Sequence, residues 1–281
     1  MSTQWPPIFA QLLRPLVEDY YEMRTTVPVG DAPRQADIVL LRRTSRMPPP
    51  FQGLWRHLTL WNLLEFKGPT VSPRLSDLEL LVELGLGIDR RLRDESTKTA
   101  ISRVKPDQVS FWYLANHLGR RFIRGAAERL VNLEAISPGL WRGKVLSRLV
   151  FLVSAVDVPV EPDSLPLHIV GQEPPATERK VARLVAGQPQ ELQSVYGGWM
   201  ATLHPAAWKE VEAMARTARR PFRIDVLPAI EHLGLRQVID QIGLSRVIEV
   251  IGEKEFLKHT NVDRLVANLP ADKRRELKKK L

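Results

Sequence analysis

The chain has 281 residues, 41 Lys and Arg against 32 Asp and Glu, a formal charge of +9 and no cysteine. The missing cysteines exclude a disulfide framework, a thiolate metal site and a cysteine nucleophile. The positive balance points to a polyanionic partner, with nucleic acid first in line.

The length allows one large domain or two smaller ones, and 44% hydrophobic residues are ample for a packed core. No stretch approaches the ~18 uninterrupted apolar residues of a membrane span. The N-terminus has no basic region followed by an apolar run, and Pro6, Pro7 and Pro15 interrupt it. The expectation is a soluble, cytoplasmic chain with no membrane segment.

Residues 8–23 read as a helix, with Ile8, Leu12, Leu13, Leu16 and Tyr20 at helical spacing. A short β-branched stretch from Thr25 to Val29 follows, then a turn at Gly30-Asp31. Ala36 to Leu41 reads as a central strand, apolar on both faces. Arg42, Arg43 and Arg46 come next, and Pro48-Pro49-Pro50 must be loop. His57 to Lys67 is a second strand, stopped by Gly68-Pro69. Pro73 to Arg93 is a helix with Ser72 as its cap and Leu75, Leu78, Leu81, Val82 and Leu86 on its apolar face. Gly85 and Gly87 fall inside that pattern, as a packing or bend feature and not a nucleotide fingerprint. Val109 to Ala115 is a third buried strand, and Gly119 to Leu130 a basic helix. Leu140 to Gly171 reads as two or three more strands, around VFLVSAV and LHIVG.

This order predicts an α/β core with a mixed central sheet flanked by helices over residues 1–172. Gln172-Glu173-Pro174-Pro175 marks its end, and residues 173–225 form a helical connecting region. Residues 226–281 carry a nine-residue repeat: AIEHLGLRQ, VIDQIGLSR, VIEVIGEKE, FLKHTNVDR and LVANLPADK. The sixth place holds Gly234, Gly243, Gly252, Asn261 and Pro270, residues that end helices. Nine residues of continuous α-helix turn through roughly 900°, which puts successive apolar pairs on opposite sides. Short helices broken at the sixth place avoid that conflict. A basic tail including Lys278, Lys279 and Lys280 ends the chain.

The chemistry concentrates at Leu64-Glu65-Phe66-Lys67, the end of the second strand. Side chains two apart share a strand face, so Glu65 and Lys67 stand together. Asp37 on a neighbouring strand can meet them. Two carboxylates at a sheet rim suit a hard divalent cation, with the Phe66 carbonyl as a further oxygen. A lysine beside the cation can hold a water for attack on a phosphodiester.

The Asp37 strand, the Glu65-x-Lys67 strand end and the helix SPRLSDLELLVELGLG resemble the PD-(D/E)XK nuclease superfamily. Within it, the chain looks like the transposase-like, recombination-promoting nuclease branch and its uncharacterised bacterial relatives. The resemblance covers about residues 10–170. One departure is Ala36, where the motif has proline. The resemblance implies a restriction-endonuclease-like core, with Mg²⁺ or Mn²⁺ held by Asp37 and Glu65 and a water positioned by Lys67. It also implies a further ligand from the first helix, Glu18 or Glu22, which lie four apart and so on one helix face.

The function expected is a Mg²⁺-dependent endonuclease acting on DNA. Arg42, Arg43 and Arg46, placed beside the metal site, and Arg120, Arg121 and Arg124 supply phosphate contacts. A homodimer and a protein partner on the C-terminal repeats complete the expected partners. The alternative is a catalytically silent nuclease fold that serves as a DNA-binding or protein-interaction scaffold.

Overall fold

A computed structural model describes residues 5–28, 35–43, 49–98, 104–217, 224–252 and 255–256. It divides into two compact units, Met1–Gln188 and Pro189–Leu281.

The first unit opens with helix α1 (Trp5–Val17), which buries Ile8, Phe9, Leu12, Leu13 and Val17. Fully burying a side chain of this kind stabilises the fold by about 1.5–3 kcal/mol. The helix ends earlier than its sequence periodicity suggests. After a turn, strand β1 (Tyr21–Pro28) begins, and the buried Tyr21 belongs to it. Strand β2 (Gln35–Arg42) follows, then a 3-10 turn at Gly53–His57 and strand β3 (Trp61–Lys67). The expected strand from His57 is therefore shorter. Asn62 Oδ1 accepts from the Thr59 amide at 2.7 Å and from Ser110 Oγ at 2.7 Å, which fixes the chain as it enters β3.

Helix α2 (Leu75–Lys98) begins two residues later than its Pro-based start. Ser72 does not cap it. The Asp77 side chain accepts from the Arg74 amide at 3.3 Å and closes the first turn. Gly85 packs face to ring with Phe111, so a side chain there would collide with the aromatic carbons. Strand β4 (Val109–Ala115) is buried along its whole length, as expected of a central strand. Helix α3 (Arg120–Ala127) then leads into β5 (Val131–Ser137), β6 (Leu140–Val145) and β7 (Arg148–Ser154). Strand β5 is largely exposed on both faces, which is why its sequence lacks an alternating signal. The segment LHIVG is not a strand. It lies in helix α4 (Leu165–Val170), which has Pro166 in its first turn. A short, fully buried apolar run has no period that separates the two. Helix α5 (Pro175–Ala186) packs on α4 and closes the unit, so the division falls one helix beyond Pro174-Pro175.

The sheet has seven strands in the order β1-β2-β3-β4-β7-β6-β5. Strands β1, β2 and β3 form an antiparallel meander, β3, β4 and β7 run parallel, and β6 and β5 return antiparallel. One face carries Val39, Leu63, Phe111, Tyr113 and Val150 against apolar residues of α2 and α3. On the other, Phe9 of α1 stacks on Phe66 at 4.6 Å, and Trp112 stacks on Phe151 at 4.2 Å. Two buried polar groups complete the packing. Asp89 of α2, with 1% of its side chain exposed, takes Arg93 and Arg148 at 2.8 and 2.5 Å. His168 and Glu173 pair at 2.7 Å.

The second unit is all helical. Helices α6 (Gln190–Leu203) and α7 (Pro205–Thr217) precede three short ones, α8 (Leu227–Leu233), α9 (Leu235–Ile242) and α10 (Leu244–Ile251). Gly198 of α6 lies against the Asp225 carbonyl so closely that no side chain fits. Gly234 and Gly243 separate the short helices and Gly252 ends α10, all three at positive φ. Arg246 of α10 bonds Glu212 of α7 at 2.7 Å and Glu249 at 2.8 Å. Asn261, Pro270, Lys278, Lys279 and Lys280 lie outside the described residues. Among the described residues, no helix is long and apolar enough to cross a membrane.

Candidate functional site

Register brings the candidate residues together. Strands β2 and β3 pair Val39 with Leu63 and end their pairing at Ile38 with Leu64; Asp37 and Glu65 lie just past that rung, each on the face of the opposed pair Val39–Leu63 by strand alternation. Directly opposed residues share a face of the sheet. Asp37 Oδ2 accepts from the Phe66 amide at 2.9 Å, which ties the carboxylate to the strand that carries Glu65. Phe66 thus touches the cluster through its backbone, while its ring is buried against α1. Lys67 Nζ lies 2.8 Å from Glu65 Oε1, and their side chains are 19% and 14% exposed. A pair so withdrawn from water needs partners for both charges.

The electrostatics follow from this crowding. Burial, and then the charge of Glu65, push the Asp37 carboxyl up to about 7. The Phe66 amide and Lys67 act in the opposite direction and do not cancel it. Burial alone would lower Lys67, but Glu65, then Asp77 and Asp37, outweigh it and hold the ammonium above its ordinary range. Neighbouring carboxylates that ionise with difficulty together are eased by a hard divalent cation. Asp37 and Glu65 therefore fit Mg²⁺ or Mn²⁺ by donor type and by their shared face. Among the described residues, no group of three or more Asp, Glu, His or Cys is arranged to hold a metal ion.

Two further residues, neither of them marked by a motif, join the cluster. Tyr113 of β4 pairs in register with Glu65, and its hydroxyl donates to Asp77 Oδ2 at 3.4 Å. Burial, then the negative charge of Asp77, raise the Tyr113 phenol. Both had a signal. Tyr113 carries a polar tip near the end of a fully buried strand, and Asp77 is an acid in a helix's first turn.

Two expectations change. Glu18 and Glu22 do not share a helix face: Glu18 sits in the turn after α1 and Glu22 in β1. Glu22 pairs with Leu41, four residues along β2 from Asp37, on the order of 13 Å away. Its carboxylate bonds Arg24 at 2.7 Å. Neither glutamate reaches the cluster. Arg42 and Arg43 also lie away from it, at the opposite end of β2. Arg42 is five residues from Asp37, on the order of 17 Å. Its guanidinium sits 5.8 Å from the Tyr21 ring centroid, and Arg43 Nε donates to the Glu18 carbonyl at 3.3 Å. A strand separates its two ends, so sequence adjacency misplaced these arginines. Arg46 lies outside the described residues.

Arg120, Arg121 and Arg124 are placed otherwise. They are exposed on α3, which starts just past the end of β4 where Ala115 pairs with Lys67. Phe122 between them stacks on Tyr113 at 5.3 Å and anchors α3 over the cluster. The cationic helix therefore stands at the same end of the sheet as Asp37, Glu65 and Lys67.

No protein-family model, curated protein or solved structure matches the chain.

Proposed function

We propose that the first unit is a divalent-cation-dependent endonuclease with a restriction-endonuclease-like core, acting on DNA. The observation that carries this reading is the placement of Asp37 and Glu65 on one sheet face with Lys67 bonded beside them. The strand order supports it: an antiparallel three-strand meander, a helix, then a strand parallel to the third. Asp37 and Glu65 would hold the ion, and Mg²⁺ or Mn²⁺, when bound, supplies charge to the phosphoryl oxygen and makes a bound water more acidic. Lys67 donates a hydrogen bond to the attacking water and offsets the charge that develops on the phosphate. The water oxygen forms the new bond to phosphorus as the bond to the leaving sugar oxygen breaks, the attacking water gives its proton to solvent, and the leaving oxygen takes one from solvent. Arg120, Arg121 and Arg124 hold the phosphate backbone and read no sequence.

The test is plasmid nicking under Mg²⁺ and Mn²⁺. Glu65→Ala and Lys67→Ala each abolish nicking while circular dichroism stays unchanged. Absence of nicking by the wild type under every divalent metal rejects the reading.

A second reading has its own observation. The Glu65 oxygen is already engaged by Lys67, an arrangement that also suits a silent nuclease fold used as a DNA-binding or protein-interaction scaffold. On that reading the short helices of the nine-residue repeat in the second unit form a module that binds a protein partner. Failure to nick, together with retained DNA binding, selects it. A homodimer that cuts both strands would appear as a doubled mass in light scattering.

A further inference from the structure

Glu65 faces two claims in the proposed nuclease. Its Oε1 bonds the Lys67 ammonium at 2.8 Å, and a cation held with Asp37 requires the same carboxylate. Once Glu65 turns to the cation, Lys67 loses its partner. A flexible, strongly hydrated ammonium then swings to solvent unless a second anion keeps it in place.

Asp77 is that anion by position. Tyr113, the register partner of Glu65, donates its hydroxyl to Asp77 Oδ2 at 3.4 Å. The Arg74 amide donates to the same oxygen at 3.3 Å, so the carboxylate is fixed in the first turn of α2. It therefore stands across one aromatic side chain from the Glu65–Lys67 pair. It is not a third ligand, since no three-carboxylate group is arranged for a metal among the described residues.

We propose that Asp77 is a positioning residue for Lys67, holding the ammonium over the site when Glu65 turns to a divalent cation. The inference rests on the nuclease reading of the site. Asp77 also contributes to the field that keeps Lys67 charged, in agreement with this role.

The experiment is Mn²⁺ binding to the full chain, read from the electron paramagnetic resonance of free Mn²⁺, in a double-mutant cycle of Asp77→Asn and Lys67→Met. Thermal melts confirm that each variant is folded. Asp77→Asn alone leaves Lys67 only Glu65 and Asp37, the two carboxylates the ion requires, so the ammonium competes harder with the ion. Mn²⁺ affinity then falls on the order of three- to tenfold. Lys67→Met removes the competitor and binds Mn²⁺ at least as tightly as wild type. The double variant stays within about a factor of two of Lys67→Met, because Asp77 acts through the lysine. Asp77→Glu restores most of the wild-type affinity.

Equal losses from Asp77→Asn in both backgrounds overturn the proposal, since Asp77 would then act on the ion directly. An unchanged affinity in Asp77→Asn overturns it as well. Either result leaves the nuclease reading intact, whereas a wild type that binds no Mn²⁺ removes both.

Discussion

Trp5 packs directly on Gly68, the residue that follows Lys67, and its side chain leaves no space for a methyl group there. The first residue of α1 thus packs on the backbone beside the proposed water-positioning lysine. Gly68→Ala must push the indole away or shift the end of β3. We expect a stability loss of about 1–3 kcal/mol from overpacking, together with a change in Trp fluorescence. Replacing Trp5 by Ala in the same chain should recover part of the loss in urea melts. A Gly68→Ala variant as stable as wild type would show that the contact is readily relaxed.

The raised Asp37 carboxyl ties stability to pH. Its folded value is about 7 against an ordinary 3.8, so between these limits the folded state binds the proton that the unfolded chain releases. Stability from this group therefore falls as pH rises from about 4 to about 7, and the full penalty remains above that. Asp37→Asn should match wild type near pH 4 and exceed its melting temperature at pH 8. Mg²⁺ should stabilise wild type more at pH 8 than at pH 5, and should have little effect on Asp37→Asn. Parallel wild-type and variant melting curves across this range would refute the assignment.

Asp89 binds two guanidinium groups from inside α2. Arg93 also donates to the Val104 carbonyl. Asp89→Ala leaves both cations without their carboxylate in a largely buried place. The expected cost is about 3 kcal/mol, measured by chemical denaturation. A loss under about 1 kcal/mol would show that water replaces the carboxylate at little cost.

The positions of the arginines separate two binding variants. Arg120, Arg121 and Arg124 changed together to Gln should reduce the slope of log affinity for DNA against log salt by about two to three. Arg42 and Arg43 changed to Gln should leave nicking within a few fold of wild type, because they stand at the other end of β2. The reverse ranking would place the nucleic acid along the wrong end of the sheet.

Much of this was legible in the sequence for identifiable reasons. Asp37, Glu65 and Lys67 fall in strands whose apolar runs are plain, and period-two alternation alone puts Glu65 with Lys67. The fully buried β4 was likewise readable. What failed needed tertiary knowledge. The helical spacing of Leu12, Leu16 and Tyr20 runs on into a strand because Tyr21 is buried by the sheet and not by a helix face. Val131 to Ser137 pairs through its backbone while its side chains stay mostly in solvent, so no pattern marks it. Asp77 entered the site through a hydrogen bond from Tyr113, a contact that joins positions 36 apart in sequence.

Gly234, Gly243 and Gly252 adopt nearly the same backbone angles, with φ of 86, 87 and 80° and ψ of 147, 146 and 156°. That combination is open essentially to glycine alone. Equal angles at equal intervals amount to one rotation and translation applied again at each junction. Helices joined by such a step trace a screw whose pitch depends on the glycines and not on the residues between them. The surface of α8, α9 and α10 is thereby free to vary in sequence while the path of the chain stays constant.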